Sequence, residues 1–300
     1  MALVLGIDAA WTETGSSGVA LLECTNDECR VVVCAPSYAS FVAYSDEIPI
    51  DWCRPVGGSL DVFDLLKAAT RIGRAPIDVV AIDMPMARTN ILGRRTADQT
   101  IATEFGSAWA SPHSPTVERP GAYGHRLTKN FIAAGFSLAT KQGPTAARPL
   151  IEVYPLAALV RLMDASRRPP YKASKSRKYW PGTTPAERID KLLEVWSTIV
   201  KCLESEIPEL HFKVPDRRDV DWLSALKPYE DALDGVISAY VGALFLQGAA
   251  EAFGDDEAAI WVPKHRQHRA TCITDGYLTA VQDTLSDWDS PQDMEAFRDL

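Results

Sequence analysis

Three apolar runs that end in or enclose a carboxylate constrain this chain most. Ala2-Leu3-Val4-Leu5-Gly6-Ile7 leads into Asp8, Val79-Val80-Ala81-Ile82 leads into Asp83, and Leu150-Ile151-Glu152-Val153-Tyr154 encloses Glu152 before Pro155. Each run has the length of a buried strand. An unpaired carboxylate inside such a run is costly, so Glu152 needs a cation or a basic partner. Asp231 and Asp234 stand three apart at the start of a strongly apolar helical stretch and share one face. Taken singly, a strand-end Asp serves a turn, and acids in a first helical turn complement the macrodipole. Together, Asp8, Asp83, Glu152, Asp231 and Asp234 form the oxygen-rich set that magnesium or manganese requires. Two such ions can clamp the attacking and leaving oxygens of a phosphoryl transfer. The residues therefore point to metal-dependent phosphodiester cleavage.

Charge distribution supports a polyanionic partner. The chain carries a net charge of -9, yet residues 84–190 hold 16 Lys/Arg against 7 Asp/Glu, while residues 251–300 hold 11 acids against 4 bases. A basic surface around an acidic centre attracts a phosphate backbone, although a solvated face has the same composition. Within the basic middle, residues 167–180 read R-R-P-P-Y-K-A-S-K-S-R-K-Y-W. Lys172, Lys175, Arg177 and Lys178 are candidates to neutralise phosphate, and Tyr171, Tyr179 and Trp180 to stack on bases. This segment is too polar and proline-interrupted to be read as core. Among the histidines, His265 and His268 follow Pro263 with no carboxylate nearby, and His113 and His125 fall in an irregular stretch.

The hydrophobic share of 46% is that of an ordinary globular protein. No basic segment precedes the first apolar run, which predicts no secretory signal and a cytoplasmic setting. Residues 235–250 are too short for a membrane span and contain Ser238 and Gln247, so they are read as a buried helix. Cys24, Cys29, Cys34, Cys53, Cys202 and Cys272 include no C-x-x-C pair and match no zinc spacing, so reduced thiols are expected.

The first third reads as strands at 3–8, 19–22 and 30–35, a helix over 61–71 and a strand at 77–83. Three adjacent strands, a helix and a further strand predict a mixed sheet with the last strand parallel to the first. Helices are expected over 95–105, 128–139, 184–202 and 229–253, and strands over 150–154 and 259–262. Residues 1–262 read as one domain, with an insertion at about 105–127 and a basic loop at 165–182. Residues 263–300 read as an acidic peripheral segment.

The G-I-D-A-A-W opening, I-D-M-P at 82–85, R-x-x-D from Arg95 to Asp98, E-V-Y-P at 152–155 and D-A-L-D-G at 231–235 resemble the domain-of-unknown-function 429 family. That family is described as predicted nucleases with a ribonuclease H-like fold, and the resemblance spans roughly residues 3–262. It implies an α/β fold, with a five-stranded mixed sheet made of a three-strand antiparallel meander plus parallel strands, flanked by helices. It also implies acids converging beside the central strands. Asp8 would bridge two magnesium or manganese ions, with Asp83 and Asp234 holding one each. Glu152 would be a ligand or the partner of a base such as Lys175, and Arg95 would pair with Asp98 or face a phosphate. The implied activity is phosphodiester hydrolysis of nucleic acid. Two rivals share the sheet: an actin-like ATP-dependent kinase with Gly15–Gly18 cradling phosphate, and an inactive member that binds nucleic acid or protein.

Overall fold

Apolar runs at the start of the chain form an antiparallel meander of β1 (Ala2–Asp8), β2 (Gly18–Cys24) and β3 (Cys29–Ala35). The computed structural model describes residues 1–265 except 13, 26–27, 54, 59–60 and 144–147. After the meander, α1 (Tyr38–Ser45) and α2 (Val62–Gly73) cross over to β4 (Val79–Ile82), which pairs parallel with β1. Asp61 starts α2 by accepting from the backbone N–H groups of Phe63 and Asp64. α3 (Thr96–Phe105), α4 (Gly121–Ala133) and the short β5 (Ser137–Leu138) lead to β6 (Pro149–Val153), parallel to β4. α5 (Pro155–Leu162), α6 (Ser176–Tyr179), α7 (Pro185–Glu204) and α8 (Lys227–Leu246) follow. A hairpin of β7 (Ala250–Gly254) and β8 (Ala259–Pro263) closes the described chain.

The sheet is mixed, with strand order β3-β2-β1-β4-β6-β8-β7 and β5 pairing beside β6. Among the described residues its eight strands extend the expected five. The added β7 arises because the apolar stretch 229–253 is not one helix. Gly248 takes a left-handed φ of 67°, and Gly248 and Ala249 donate to the carbonyls of Phe245 and Leu244. That turn ends α8 and turns the chain back into the sheet. The expected helix at 128–139 begins earlier, at Gly121, and its last residues form β5 instead.

Strand alternation sorts the core into two layers. Leu3, Leu5, Ile7, Leu21, Val80 and Ile82 lie in one cluster with Phe41, Leu65 and Phe131 from α1, α2 and α4. Val4, Ala20, Leu22, Val79 and Ala81 belong to the other, with α8 and Trp196 of α7. α7 begins where the sequence places it, at a capping box of Thr184 and Glu187 followed by Pro185.

The segment 167–180 departs from its reading as a surface loop. Tyr171, Tyr179 and Trp180 are buried, at 0%, 3% and 5% exposure. The Trp196 indole donates to the Tyr171 carbonyl at 2.8 Å, which ties the segment to α7. These rings are therefore core side chains and offer no face to a base. Cys24 and Cys29 also correct an expectation, since they face each other across the β2–β3 hairpin and form a disulfide. The acidic segment beyond His265, with His268 and Cys272, lies outside the described residues. Among the described residues no helix is long and apolar enough to cross a membrane.

α8 rests on the meander at backbone contact. A Cβ on Gly18 would stand 1.8 Å from the Asp231 carbonyl oxygen, and one on Gly6 would stand 2.2 Å from that of Gly235. Gly18→Ala and Gly6→Ala must displace the helix, so each should destabilise the protein by at least the ~1–3 kcal/mol typical of overpacking. Gly58→Ala, where a Cβ meets nothing within 4 Å, is the control. Urea unfolding midpoints check this, and equal stability of all three variants would refute the contact.

Candidate active site

β1 and β4 are neighbouring parallel strands, so their carboxyl ends lie side by side. Asp8 is the last residue of β1, and Asp83 follows β4 directly with its N–H donated to the Ile7 carbonyl at 2.8 Å. Asp8 is the register partner of Gly18, the residue on which Asp231 rests. The sheet and α8 thus bring Asp8, Asp83, Asp231 and Asp234 to one place. Asp8 and Asp83 are half-buried, while Glu230, Asp231 and Asp234 are buried at 1%, 1% and 0% exposure.

Two lysines enter this cluster. Lys172 pairs closely with Asp234 and stands 3.7 Å from Glu230. Lys227 bonds Glu230 at 3.0 Å and pairs closely with Asp231. Tyr171 donates its hydroxyl to the second oxygen of Asp234 at 2.6 Å. Glu230 also accepts from the Ala173 N–H at 2.6 Å, which fixes the backbone beside Lys172 to α8. Glu230 and Lys227 escaped the sequence reading, although their spacing of three and Lys227's spacing of four from Asp231 were a helical signal. The role of Tyr171 had no such signal, because its partner lies 63 positions away.

Glu152 and Arg95 form a separate, closed unit. Arg95 bonds both oxygens of Glu152 at 2.6 and 2.7 Å and both oxygens of Asp98, the closest at 2.7 Å. It also donates to the Met86 carbonyl at 2.7 Å, while the Met86 N–H donates to Glu152 at 2.8 Å. Arg95 is therefore consumed by protein groups and is not a phosphate-binding residue. Glu152 is its partner, not a ligand, and not the partner of Lys175. The unit anchors the turn after Asp83 to β6. Lys175, Arg177 and Lys178 lie exposed on the outer surface, away from the buried pairings of Lys172.

The electrostatics separate the two groups of acids. Burial, then repulsion from Asp234, pushes the Asp8 carboxyl up to about 6. Burial and the nearby Asp8 push Asp83 well above the usual carboxylate range and Asp231 up to about 8. Burial opposes ionisation of Glu230 too, but Lys172, Lys227 and the Ala173 N–H outweigh it and hold its pKa down. For Lys172 burial alone would favour the neutral amine, yet Asp234, Tyr171, Glu230 and Asp8 hold the ammonium well above its usual range. Burial pushes Glu152 up to about 7, and Arg95 offsets that effect only in part.

The cluster thus holds more negative charge than its two lysines balance. Asp231 also keeps Oδ2 buried with no hydrogen-bond partner among the described residues. Hard carboxylate donors with one orphaned oxygen match the chemistry of magnesium or manganese. Among the described residues, no three His, Cys, Asp or Glu side chains stand at metal-holding geometry.

A carboxyl that titrates higher in the folded than in the unfolded chain favours the fold when protonated. The contributions of Asp8 and Asp231 are full below the ordinary value of 3.8 and are lost as pH rises through about 6 and about 8. In chelator, Asp231→Asn should therefore flatten the fall of the urea midpoint between pH 5 and 8.5, and an unchanged slope would refute the assignment. Arg95→Met leaves Glu152 and Asp98 buried without their cation, with only backbone donors remaining, and should cost about 3–5 kcal/mol in the same assay. A stable Arg95→Met protein would show that the triad is not structural.

No curated protein and no solved structure matches the chain. Residues 6–259 match the family described as "Protein of unknown function (DUF429)", and the chain belongs to that family.

Proposed function

We propose that the protein is a divalent-metal-dependent phosphodiesterase acting on nucleic acid, built on a ribonuclease H-like frame. One observation carries the reading: two strand ends and one helix bring Asp8, Asp83, Asp231 and Asp234 together, and burial with repulsion between neighbours raises the carboxyls of Asp8, Asp83 and Asp231. Such clusters of perturbed carboxylates are a hallmark of functional sites. The frame agrees with it, since an antiparallel meander continues into parallel strands whose carboxyl ends hold the acids.

Asp8, Asp83 and Asp234 would hold magnesium or manganese, with Asp231 as a further donor. The ion, when bound, would activate a water and shield the leaving oxygen. The chain's own residues supply the rest. Lys172 keeps its ammonium charged and lies only partly covered, so it can face the non-bridging oxygens of a phosphate. Tyr171 holds Asp234 in one orientation while Lys172 exchanges partners. Arg95 and Glu152 hold the turn after Asp83 and so position that acid. Packing of Gly18 against the Asp231 carbonyl speaks against its use in the Gly15–Gly18 phosphate cradle of the kinase alternative.

The test is cleavage of end-labelled single-stranded, duplex, hybrid and branched oligonucleotides with magnesium, with manganese or in EDTA. Cleavage should require metal. It should fall by about 100-fold or more in Asp8→Asn and in Lys172→Met, with unchanged circular dichroism. Wild-type turnover by Asp8→Asn would sink the proposal.

A further inference from the structure

Three arginine–aromatic pairs stand around the acidic site, two on loops and one on α4. The Arg119 guanidinium lies 5.8 Å from the Trp11 ring centroid, Arg126 lies 5.5 Å from that of Tyr123, and Arg167 lies 4.2 Å from that of Trp109. All belong to the edge where β1, β4 and β6 end. Trp11 follows Asp8 by three residues. Tyr123 and Asp8 both lie within electrostatic reach of Tyr38, and a Cβ on neighbouring Gly124 would stand 3.5 Å from the carbonyl of Pro85, two residues after Asp83. Trp109 is tied in from the β6 side. The Arg168 N–H donates to the Ala108 carbonyl at 2.8 Å, and the Tyr154 hydroxyl to that of Ser111 at 2.9 Å.

Trp109 has a second peculiarity. Its φ is 58°, a left-handed conformation that a bulky side chain adopts only under constraint. Strain of this kind concentrates at ligand-binding positions. The three rings are half-buried, and Arg119 and Arg126 are exposed. A guanidinium beside a ring helps to hold it in place and puts positive charge at the same surface.

We infer that these pairs form a binding platform for single-stranded nucleic acid, which threads its phosphates past the acidic site while its bases stack on Trp11, Tyr123 and Trp109. The inference rests on the phosphodiesterase reading and narrows its substrate. A duplex keeps its bases stacked on one another and cannot use the rings, whereas an unpaired strand stacks its bases and neutralises its backbone at the same surface. The basic middle of the chain, with 16 Lys/Arg against 7 Asp/Glu over residues 84–190, supplies five of the six residues of the pairs. Tyr171, Tyr179 and Trp180, the rings that the sequence favours for stacking, are buried elsewhere.

Fluorescence anisotropy with labelled oligo-dT, oligo-U and a DNA duplex tests this, using wild-type protein in EDTA so that no strand is cut. A single strand should bind more tightly than the duplex, and the tighter of the two single strands identifies the sugar. Trp11→Ala and Trp109→Ala should each weaken that binding by about tenfold, while Trp109→Phe retains most of it. Arg119→Gln, at an exposed position, gives an independent loss should Trp109→Ala fail to fold. Equal binding of duplex and single strands, or Trp11→Ala and Arg119→Gln binding as wild type does, would overturn the platform. Tight single-strand binding without cleavage in metal would instead sink the hydrolytic reading alone.

Discussion

The bare backbone contact between α8 and the first two strands is the constraint from which the rest of the molecule follows. Gly6 and Gly18 have no side chain because the carbonyls of Gly235 and Asp231 occupy that space. A helix held at this distance cannot slide by a residue without collision. Its register on the sheet is therefore fixed, and Asp231 and Asp234 are fixed beside Asp8. Packing of larger side chains would leave more slack, since cores accommodate small shifts more readily than backbones in contact do.

On this seat the protein gathers charge in two different ways. The Arg95 unit is saturated: every guanidinium nitrogen has a partner, and Glu152 and Asp98 are both bound. It behaves as a strut between β6 and the segments that follow β4. The Asp8 cluster is unsaturated, with two lysines among five acids and, among the described residues, a carboxylate oxygen that has no partner. A saturated network specifies structure, while an unsaturated one retains affinity for a proton or a cation. The two lie on neighbouring strands, so the strut steadies the cluster.

Much of this was legible in the residues. The acids at the ends of β1 and β4 showed themselves as carboxylates terminating apolar runs, and the parallel return of β4 followed from a helix lying between strands. Asp231 and Asp234 were visible through helical spacing. What stayed hidden depended on contacts far apart in the chain. The residues suggested that Arg95 pairs with Asp98 or faces a phosphate, and the pair with Asp98 is present, but its pair with Glu152 spans 57 positions and left no local signal. The segment 167–180 was misread for a related reason. Its lysines and arginines dominate the composition, but Tyr171, Tyr179 and Trp180 are buried and Lys172 turns in to Asp234, while Lys175, Arg177 and Lys178 face outward. Gly248 is a plainer case, since one glycine inside an apolar stretch leaves open whether the helix continues.

Gly6, Gly18 and Gly235 have one more consequence, which concerns the tolerance of the two layers to change. On the face covered by α1, α2 and α4, side chains such as Phe41, Leu65 and Phe131 set the spacing, and altered volumes there can be absorbed by those helices. On the face covered by α8 the spacing is set by main chain, which no compensating substitution can enlarge. Drift in the back layer is thereby uncoupled from the distances among the acids. The chain is free to vary in one half of its core without retuning its chemistry.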